Sequence, residues 1–278
     1  MPVIDHYTAG MDLHDPDPIR RLRAIMARLR DPERGCPWDQ AQTPASIVPY
    51  TLEEAYEVGE AIASGDTNVI RSELGDLLFQ VVFQARLAEE AGQFDFDDVA
   101  RAIGDKLWRR HPHVFGESAF ADDHEREAFW ESAKADERRA RERHGTMDDI
   151  PLAMPALARA MKLQRRARRA GFDWDHAAPV LDKIREEIAE VQAEFEQGGR
   201  AERLAEEVGD VLFAVVNWAR HLGVDPEAAL RGSNRKFECR FRAMEDLARE
   251  RGMDFAQLDL QALDGLWNAV KEAEDPHR

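Results

Sequence analysis

The chain has 278 residues and carries 55 acidic against 38 basic side chains, a formal net charge of −17. This length is enough for two domains of ordinary size, each with its own core. The negative charge argues against a nucleic-acid partner because a polyanion is repelled over most of such a surface, so an anionic substrate has to be met locally, by a metal ion or a few basic side chains.

Cysteine usage and hydropathy indicate the compartment. Cys36 and Cys239 are far apart and lack CxxC spacing, so we expect neither a disulfide framework nor a zinc site. The sequence contains no apolar run of the roughly 18 residues that a membrane helix needs. A soluble, cytoplasmic protein with no membrane partner is therefore expected.

Helical signals follow one another along the first half. Thr43-Pro44 predicts a helix cap and first turn, and that helix stops at Ser64-Gly65-Asp66. The next helix is predicted to run from residue 66 or 67 to Gly92. Its apolar residues at helical spacing predict an amphipathic core helix, and they are Ile70, Leu74, Leu77, Leu78, Val81 and Val82. Further helices are predicted over 97–110 and about 125–143, and four helices favour a bundle.

The second half repeats the first. GDLLFQVVFQAR at 75–86 corresponds to GDVLFAVVNWAR at 209–220, and Trp38-Asp39 corresponds to Trp174-Asp175. The basic stretch 159–169 is predicted to be an amphipathic helix that opens the second copy. We therefore predict an all-α protein of two tandem helical bundles, with domains at 1–134 and 156–278 and a linker at 135–155 rich in charge, Gly and Pro.

Paired acids recur in both copies. Residues three or four apart share one face of a helix, so acids at this spacing on two neighbouring helices are expected to converge. In the first copy these acids are Glu54, Glu57, Glu73 and Asp76, and in the second they are Glu187, Glu190, Glu207 and Asp210. Such a group is strongly repulsive unless a divalent cation compensates it. Oxygen-only ligands favour Mg²⁺, with Mn²⁺ as a substitute, over zinc.

Each EExxE motif begins with a further acid, Glu53 or Glu186. Either residue suits a general base or a support for the metal ligands. The alternative for all these acids is a solvated helix face. Gly75 and Gly209, beside the acids, indicate either a close approach of helices at the metal or simple tight packing.

Cations and tryptophans lie downstream at matching positions. In the second copy they are Lys236, Arg240, Trp267 and Lys271, and in the first they are Lys106, Arg110, Trp130 and Lys134. The cations suit either triphosphate oxygens or ordinary surface ion pairs. The indoles suit stacking on a base or core packing, and core packing is favoured on residue type alone.

These motifs together resemble the MazG family of tandem-domain nucleoside triphosphate pyrophosphohydrolases. The resemblance covers nearly the whole chain, and its motifs are RLRDPERGCPWDQAQT at 28–43, TLEEAYEV at 51–58, ELGDLLFQVVF at 73–83, KLWRRHPHVF at 106–115, GFDWD at 171–175 and EEVGDVLF at 206–213. Cys239 departs from the family, which often has arginine there.

Similarity to MazG implies an all-α fold, a homodimer, Mg²⁺ dependence and the release of pyrophosphate from many ribo- and deoxyribonucleoside triphosphates. It implies that the second copy carries the main activity, with the metal ligands Glu187, Glu190, Glu207 and Asp210 and the nucleotide contacts Lys236, Arg240, Trp267 and Lys271. Two alternatives stay open, a narrow dUTP-type pyrophosphatase and a nucleotide-sensing dimer without turnover.

Overall fold

The computed structural model describes residues 12–116, 119–139 and 145–274, and within them the regular structure is helical, with no strand. Compact packing divides the chain between Ala133 and Lys134. The first seven helices are α1 (Pro18–Leu29), α2 (Pro37–Ala41), α3 (Pro44–Ser64), α4 (Thr67–Glu90), α5 (Phe96–Arg110), α6 (Pro112–Phe115) and α7 (Asp123–Arg139). The remaining five are α8 (Ala156–Arg169), α9 (Ala177–Glu196), α10 (Ala201–His221), α11 (Pro226–Glu250) and α12 (Leu260–Glu274), with a 3₁₀ turn at Phe255–Gln257. The predicted all-α class is confirmed.

The helices that carry the first set of acids have the predicted ends. The hydroxyl of Thr43 caps α3 by accepting from the Ser46 amide at 3.2 Å, and Pro44 fills the first helical position. Gly65 ends α3 in the left-handed region at φ 77°, and Asp66 caps α4 directly afterwards. This short connection makes α3 and α4 neighbours.

The second unit repeats this arrangement with α9 and α10, which are joined around Gly198. α8 covers the predicted helix 159–169 and buries Met161 and Gln164. The predicted helix 125–143 corresponds to α7 as far as Arg139, and residues 140–144 lie outside the described part. The domain limits 1–134 and 156–278 stay a prediction, although α7 extends helix into the predicted linker.

Each unit has its own apolar core. The core of the first unit consists of Met26, Ile47, Val82, Phe83 and Leu87. In the second unit, Met244, Ala248, Leu266 and Val270 pack between α11 and α12. α3 packs against α4 in the first unit and α9 packs against α10 in the second, so each pair of acid-bearing helices lies within one unit.

One prediction about the core is wrong. Leu74, Leu78 and Val81 were expected inside, yet they are 48%, 36% and 39% exposed. α4 carries apolar residues on most of its circumference. Among the described residues it packs mainly against α1, α3 and α5, which leaves Leu74, Leu78 and Val81 exposed. Within the described part of the chain, neither a close helix approach nor tight packing occurs at Gly75 or Gly209, since a Cβ atom at either position would meet nothing within 4 Å.

Two smaller observations concern the surface. Cys36 and Cys239 are both free thiols. None of the helices in the described part of the chain is long and apolar enough to cross a membrane.

Candidate active site

The first acidic cluster lies where α3 and α4 pack side by side. Glu54 and Glu57 project from α3 and Glu73 from α4, and one carboxylate oxygen of each lies within 4.8 Å of the other two. Glu54 and Glu73 are half-buried, whereas Glu57 is exposed. Asp76 stays outside this group of three, although its charge acts on Glu54. Three of the four acids predicted for this copy therefore converge.

The second acidic cluster lies between α9 and α10. Oxygens of Glu187, Glu207 and Asp210 lie within 4.8 Å of one another. Glu187 and Glu207 are only 6% and 8% exposed, so this cluster is deeper than the first. Glu190 is exposed and outside the group of three. The acid left out thus differs between the copies. It is Glu190, the last acid of the EExxE motif, in the second copy and Asp76, the last acid of the ExxD motif, in the first.

The pKa values reflect the crowding of like charges. Burial, followed by the charges of Asp76, Glu57 and Glu73, raises the pKa of Glu54. The charge of Glu187 is the largest of the effects that raise the pKa of Glu190. A divalent cation would relieve this repulsion by stabilising the ionised carboxylates. The oxygen-only ligand set of both clusters fits Mg²⁺ or Mn²⁺.

Two basic side chains contact the second cluster, and the sequence motifs predicted no role for either of them. Lys183 Nζ lies 2.7 Å from Glu187 Oε1 and 2.8 Å from Glu186 Oε1, and these carboxylates raise the pKa of the ammonium group. Arg203 Nη2 lies 2.6 Å from Glu207 Oε1. Each cation stands four residues before the buried acid that it contacts, and this helical spacing is the signal that would have identified both. The buried acids of this copy are thus partly compensated by cations from within the chain.

A cavity of about 740 Å³ opens beside the second cluster. Glu187, Asp210 and Lys183 line one part of it. The aromatic part of its wall consists of Phe172, Trp174 and Phe213. Carboxylates and a cation next to an aromatic, mainly apolar wall suit a ligand that has a charged phosphate end and a flat base.

A buried ion pair forms a further part of the same wall. Arg220 Nη2 donates a short hydrogen bond to Asp173 Oδ1, and Arg220 also donates to Asn217 Oδ1 at 2.7 Å and 2.9 Å. His221 Nε2 lies 3.2 Å from the same Asp173 oxygen. Burial by itself would raise the pKa of Asp173, but Arg220 and His221 outweigh it and hold that pKa below its usual value. The pair fastens the loop that carries Trp174 to α10.

The predicted nucleotide contacts of the second copy lie on α11 and α12. The Arg240 guanidinium carbon is 5.7 Å from the centre of the Trp267 ring, and Arg240 Nη2 pairs with Glu274 at 2.7 Å. Trp267 packs partly buried against the local core, while Lys236 and Lys271 are exposed. The described cavity wall includes none of the four predicted residues. Arg240 and Trp267 thus meet each other, but not on that wall.

The corresponding residues of the first copy also meet. Trp130 Nε1 donates to the Arg110 carbonyl at 2.8 Å, and the Arg126 guanidinium carbon lies 5.4 Å from the Trp130 ring centre. Lys106 is half-buried on α5. Lys134 belongs to α7, but its side chain lies outside the described part. The indole is therefore held by the backbone of α5 rather than free.

Comparison with known protein families identifies the family to which this chain belongs. Residues 42–115 and 177–244 match the MazG nucleotide pyrophosphohydrolase domain, once in each half. The chain belongs to the MazG family. Both MazG segments contain an acidic cluster, so the family that the motifs predicted and the tandem repeat are confirmed.

Several MazG relatives match along most of their length. The nucleoside triphosphate pyrophosphohydrolase of Escherichia coli K12 is 52% identical over 257 residues, which cover 92% of this chain and 98% of the relative. The nucleoside triphosphate pyrophosphohydrolase/pyrophosphatase MazG of Thermotoga maritima is 41% identical over 91% of this chain and 96% of its own. A nucleoside triphosphate pyrophosphohydrolase of Mycolicibacterium smegmatis is 36% identical over 73% of this chain and 69% of its own.

The two matched MazG segments do not contain every residue discussed above. The loop residues Phe172 and Trp174 lie before the second segment, and Trp130, Trp267 and Lys271 lie after the segment of their own copy. A role of these residues is therefore supported by their position in the structure and by the internal repeat, not by the match to the MazG domain.

Proposed function

We propose that this MazG-family enzyme hydrolyses nucleoside triphosphates, ribo- and deoxyribonucleotides alike, to the monophosphate and pyrophosphate, as housekeeping of the nucleotide pool. The observation that carries the proposal is the convergence of Glu187, Glu207 and Asp210 beside a cavity with aromatic walls. The relatives named nucleoside triphosphate pyrophosphohydrolase support it. The two free cysteines are consistent with a reducing cytoplasm as the compartment.

Mg²⁺ is the proposed cofactor, and Mn²⁺ is expected to substitute. In the second copy Glu187, Glu207 and Asp210 would hold it, with Glu190 one turn from Glu187. The equivalent set in the first copy is Glu54, Glu57 and Glu73, with Asp76 one turn from Glu73. When bound, a divalent ion neutralises phosphate charge and lowers the pKa of a coordinated water.

Glu186 is the proposed general base. Its side chain is 58% exposed, so water reaches it, and its carboxylate lies 2.8 Å from Lys183 Nζ. Glu53 is its counterpart in the first copy. Glu187 is the proposed catalytic partner of Glu186, because it is buried at the inner end of the cluster and would contact the metal directly.

The substrate has two candidate contact areas. The wall formed by Phe172, Trp174 and Phe213 suits the base, since aromatic faces stack on any base and so allow broad specificity. The cations of α11 and α12 suit phosphate oxygens, and these are Lys236, Arg240 and Lys271, beside Trp267. Lys106, Arg110, Trp130 and Lys134 are proposed for the same task in the first copy.

A homodimer is also proposed. The exposed apolar residues of α4 recur at matching positions of α10, where Val208, Leu212 and Val215 are 45%, 53% and 41% exposed. Spaced by three or four residues, they form an apolar stripe of the kind that packs against another helix. A second copy of the chain offers the same stripe, so two copies bury it against each other.

Product analysis tests the activity. The purified chain, Mg²⁺ and each common ribo- and deoxyribonucleoside triphosphate are incubated separately, and products are resolved by phosphorus NMR. We expect monophosphate and pyrophosphate as first products at comparable rates. Orthophosphate as the first product would refute the proposed reaction. Turnover of a single triphosphate would refute the broad specificity. Turnover that continues without Mg²⁺ or Mn²⁺ would refute the metal dependence.

A further inference from the structure

The two acidic clusters differ in the side chains that stand four residues before their inner acids. In the second copy these side chains are Lys183 and Arg203, which pair with Glu187 and Glu207 at 2.7 Å and 2.6 Å. The contacted oxygens belong to the carboxylates that converge there. This copy therefore has two cations of its own on the metal-binding acids.

The first copy has uncharged residues at both equivalent positions. Tyr50 stands four residues before Glu54, and Val69 stands four residues before Glu73. Tyr50 is 39% exposed and meets the Trp38 ring edge-on at 5.6 Å. Neither side chain is able to form an ion pair with a carboxylate.

The rest of the two helices does not replace the missing cations. α3 contains no lysine or arginine. The first half of α4 contains Arg71, whose Nη2 donates to Asn68 Oδ1 at 3.2 Å. Among the described residues, the first cluster thus has carboxylates with no cation of their own helices placed on them, whereas the second has two.

We propose that Lys183 and Arg203 compete with a divalent ion for Glu187 and Glu207, so that free metal binds the first copy more tightly and fills the second copy mainly together with an anionic ligand. The inference rests on the metal sites of the proposed function. A metal entering the second cluster has to displace an ammonium and a guanidinium group and is repelled by both. A polyphosphate offers the displaced cations new oxygens, so metal and anion bind cooperatively.

Binding of Mn²⁺ to the full-length chain tests this without turnover, with free Mn²⁺ measured by electron paramagnetic resonance. Glu54→Gln disables the first cluster and Glu187→Gln the second, so each variant reports the remaining site. Without nucleotide, the Glu187→Gln chain is expected to bind Mn²⁺ about fivefold more tightly, or better, than the Glu54→Gln chain. Equal affinities, or the reverse order, would overturn the proposal.

Substitutions of the cations test the cause. In the Glu54→Gln chain, Lys183→Met is expected to tighten Mn²⁺ binding about fivefold. Arg185→Met is the matched control, because Arg185 lies on the same helix and pairs with Asp182 at 2.7 Å instead. In the Glu187→Gln chain, Tyr50→Lys is expected to weaken binding. If Lys183→Met and Arg185→Met have the same affinity, the competition does not exist.

The cooperative binding of metal and anion at the second cluster is tested by a separate measurement. A triphosphate analogue with a methylene bridge between the α and β phosphorus atoms is expected to tighten Mn²⁺ binding more in the Glu54→Gln chain than in the Glu187→Gln chain. An equal effect in both would overturn this part. If the chain releases pyrophosphate but its two sites bind Mn²⁺ with equal affinity, the inference alone is refuted. If the two sites differ in Mn²⁺ affinity as expected but no pyrophosphate is released, the proposed function alone is refuted. No Mn²⁺ binding at all overturns the inference as well.

Discussion

Removing the charge of Asp173 tests how the cavity wall is held. Asp173→Asn keeps the shape of the side chain but leaves Arg220 without its carboxylate partner. The Asp173 and Arg220 side chains are only 14% and 6% exposed, and the loss of one partner of such a pair costs about 3–5 kcal/mol. Because Asn217 still accepts from Arg220, the lower end, about 3 kcal/mol, is expected.

Hydrogen exchange on the intact chain localises this loss. A cost of about 3 kcal/mol corresponds to roughly hundredfold faster exchange of protected amides in α9 and α10. Protection of α3 and α4 should stay unchanged, since the first copy has Pro37 where the second has Asp173, and Arg86 pairs with Glu90 at 2.8 Å. Equal losses in both units, or none in α9 and α10, would refute the reasoning.

The same pair predicts a pH dependence. The pKa of Asp173 in the folded chain lies below its unfolded value, so the folded state is stabilised above the unfolded pKa, near 3.8. This stabilisation is lost as the pH falls through the lower, folded pKa. The difference between wild type and Asp173→Asn should therefore be full near neutral pH and shrink below about pH 4. A difference that stays constant down to acid pH would show that the charge is not its origin.

Three further predictions concern a turn, a surface and the cavity. Gly65→Ala should destabilise the chain by about 1 kcal/mol in urea unfolding, because φ is 77° there; an unchanged midpoint would contradict this. Leu212→Glu should halve the mass seen by light scattering, since it places a charge in the apolar stripe of α10, and a mass that does not change would argue against that interface. Trp174→Ala should raise the KM for triphosphates about tenfold with little change in kcat, and an unaltered KM would remove this indole from the site.

Helix ends were predictable where the chain carries explicit caps. Thr43-Pro44 and Gly65 gave the bounds of α3 correctly. Asp17-Pro18 is the same type of signal at the start of α1, where Asp17 accepts from two backbone amides, and it was missed. The exposure of Leu74 was not predictable, since helical spacing identifies an apolar face but not whether the same unit covers it.

The candidate site was predictable only where it depends on local spacing. Acids three or four residues apart share one face of their helix because the helix geometry requires it, and three of the four predicted acids converge in each copy. Lys183 obeys the same rule and was still overlooked. The cavity wall was not predictable in this way, because it joins Gln164 of α8 with Phe213 of α10. The side-chain amide of Gln164 donates to the Phe213 backbone carbonyl at 2.8 Å. Such contacts depend on packing between segments that are distant in the sequence.

The most direct test of the central claim compares Glu187→Gln with Glu54→Gln in pyrophosphate release from a nucleoside triphosphate with saturating Mg²⁺. If the second cluster is the catalytic metal site, Glu187→Gln should lower the rate by about a thousandfold or more, while Glu54→Gln keeps most of it. Release of pyrophosphate at the wild-type rate by the Glu187→Gln chain would contradict the account.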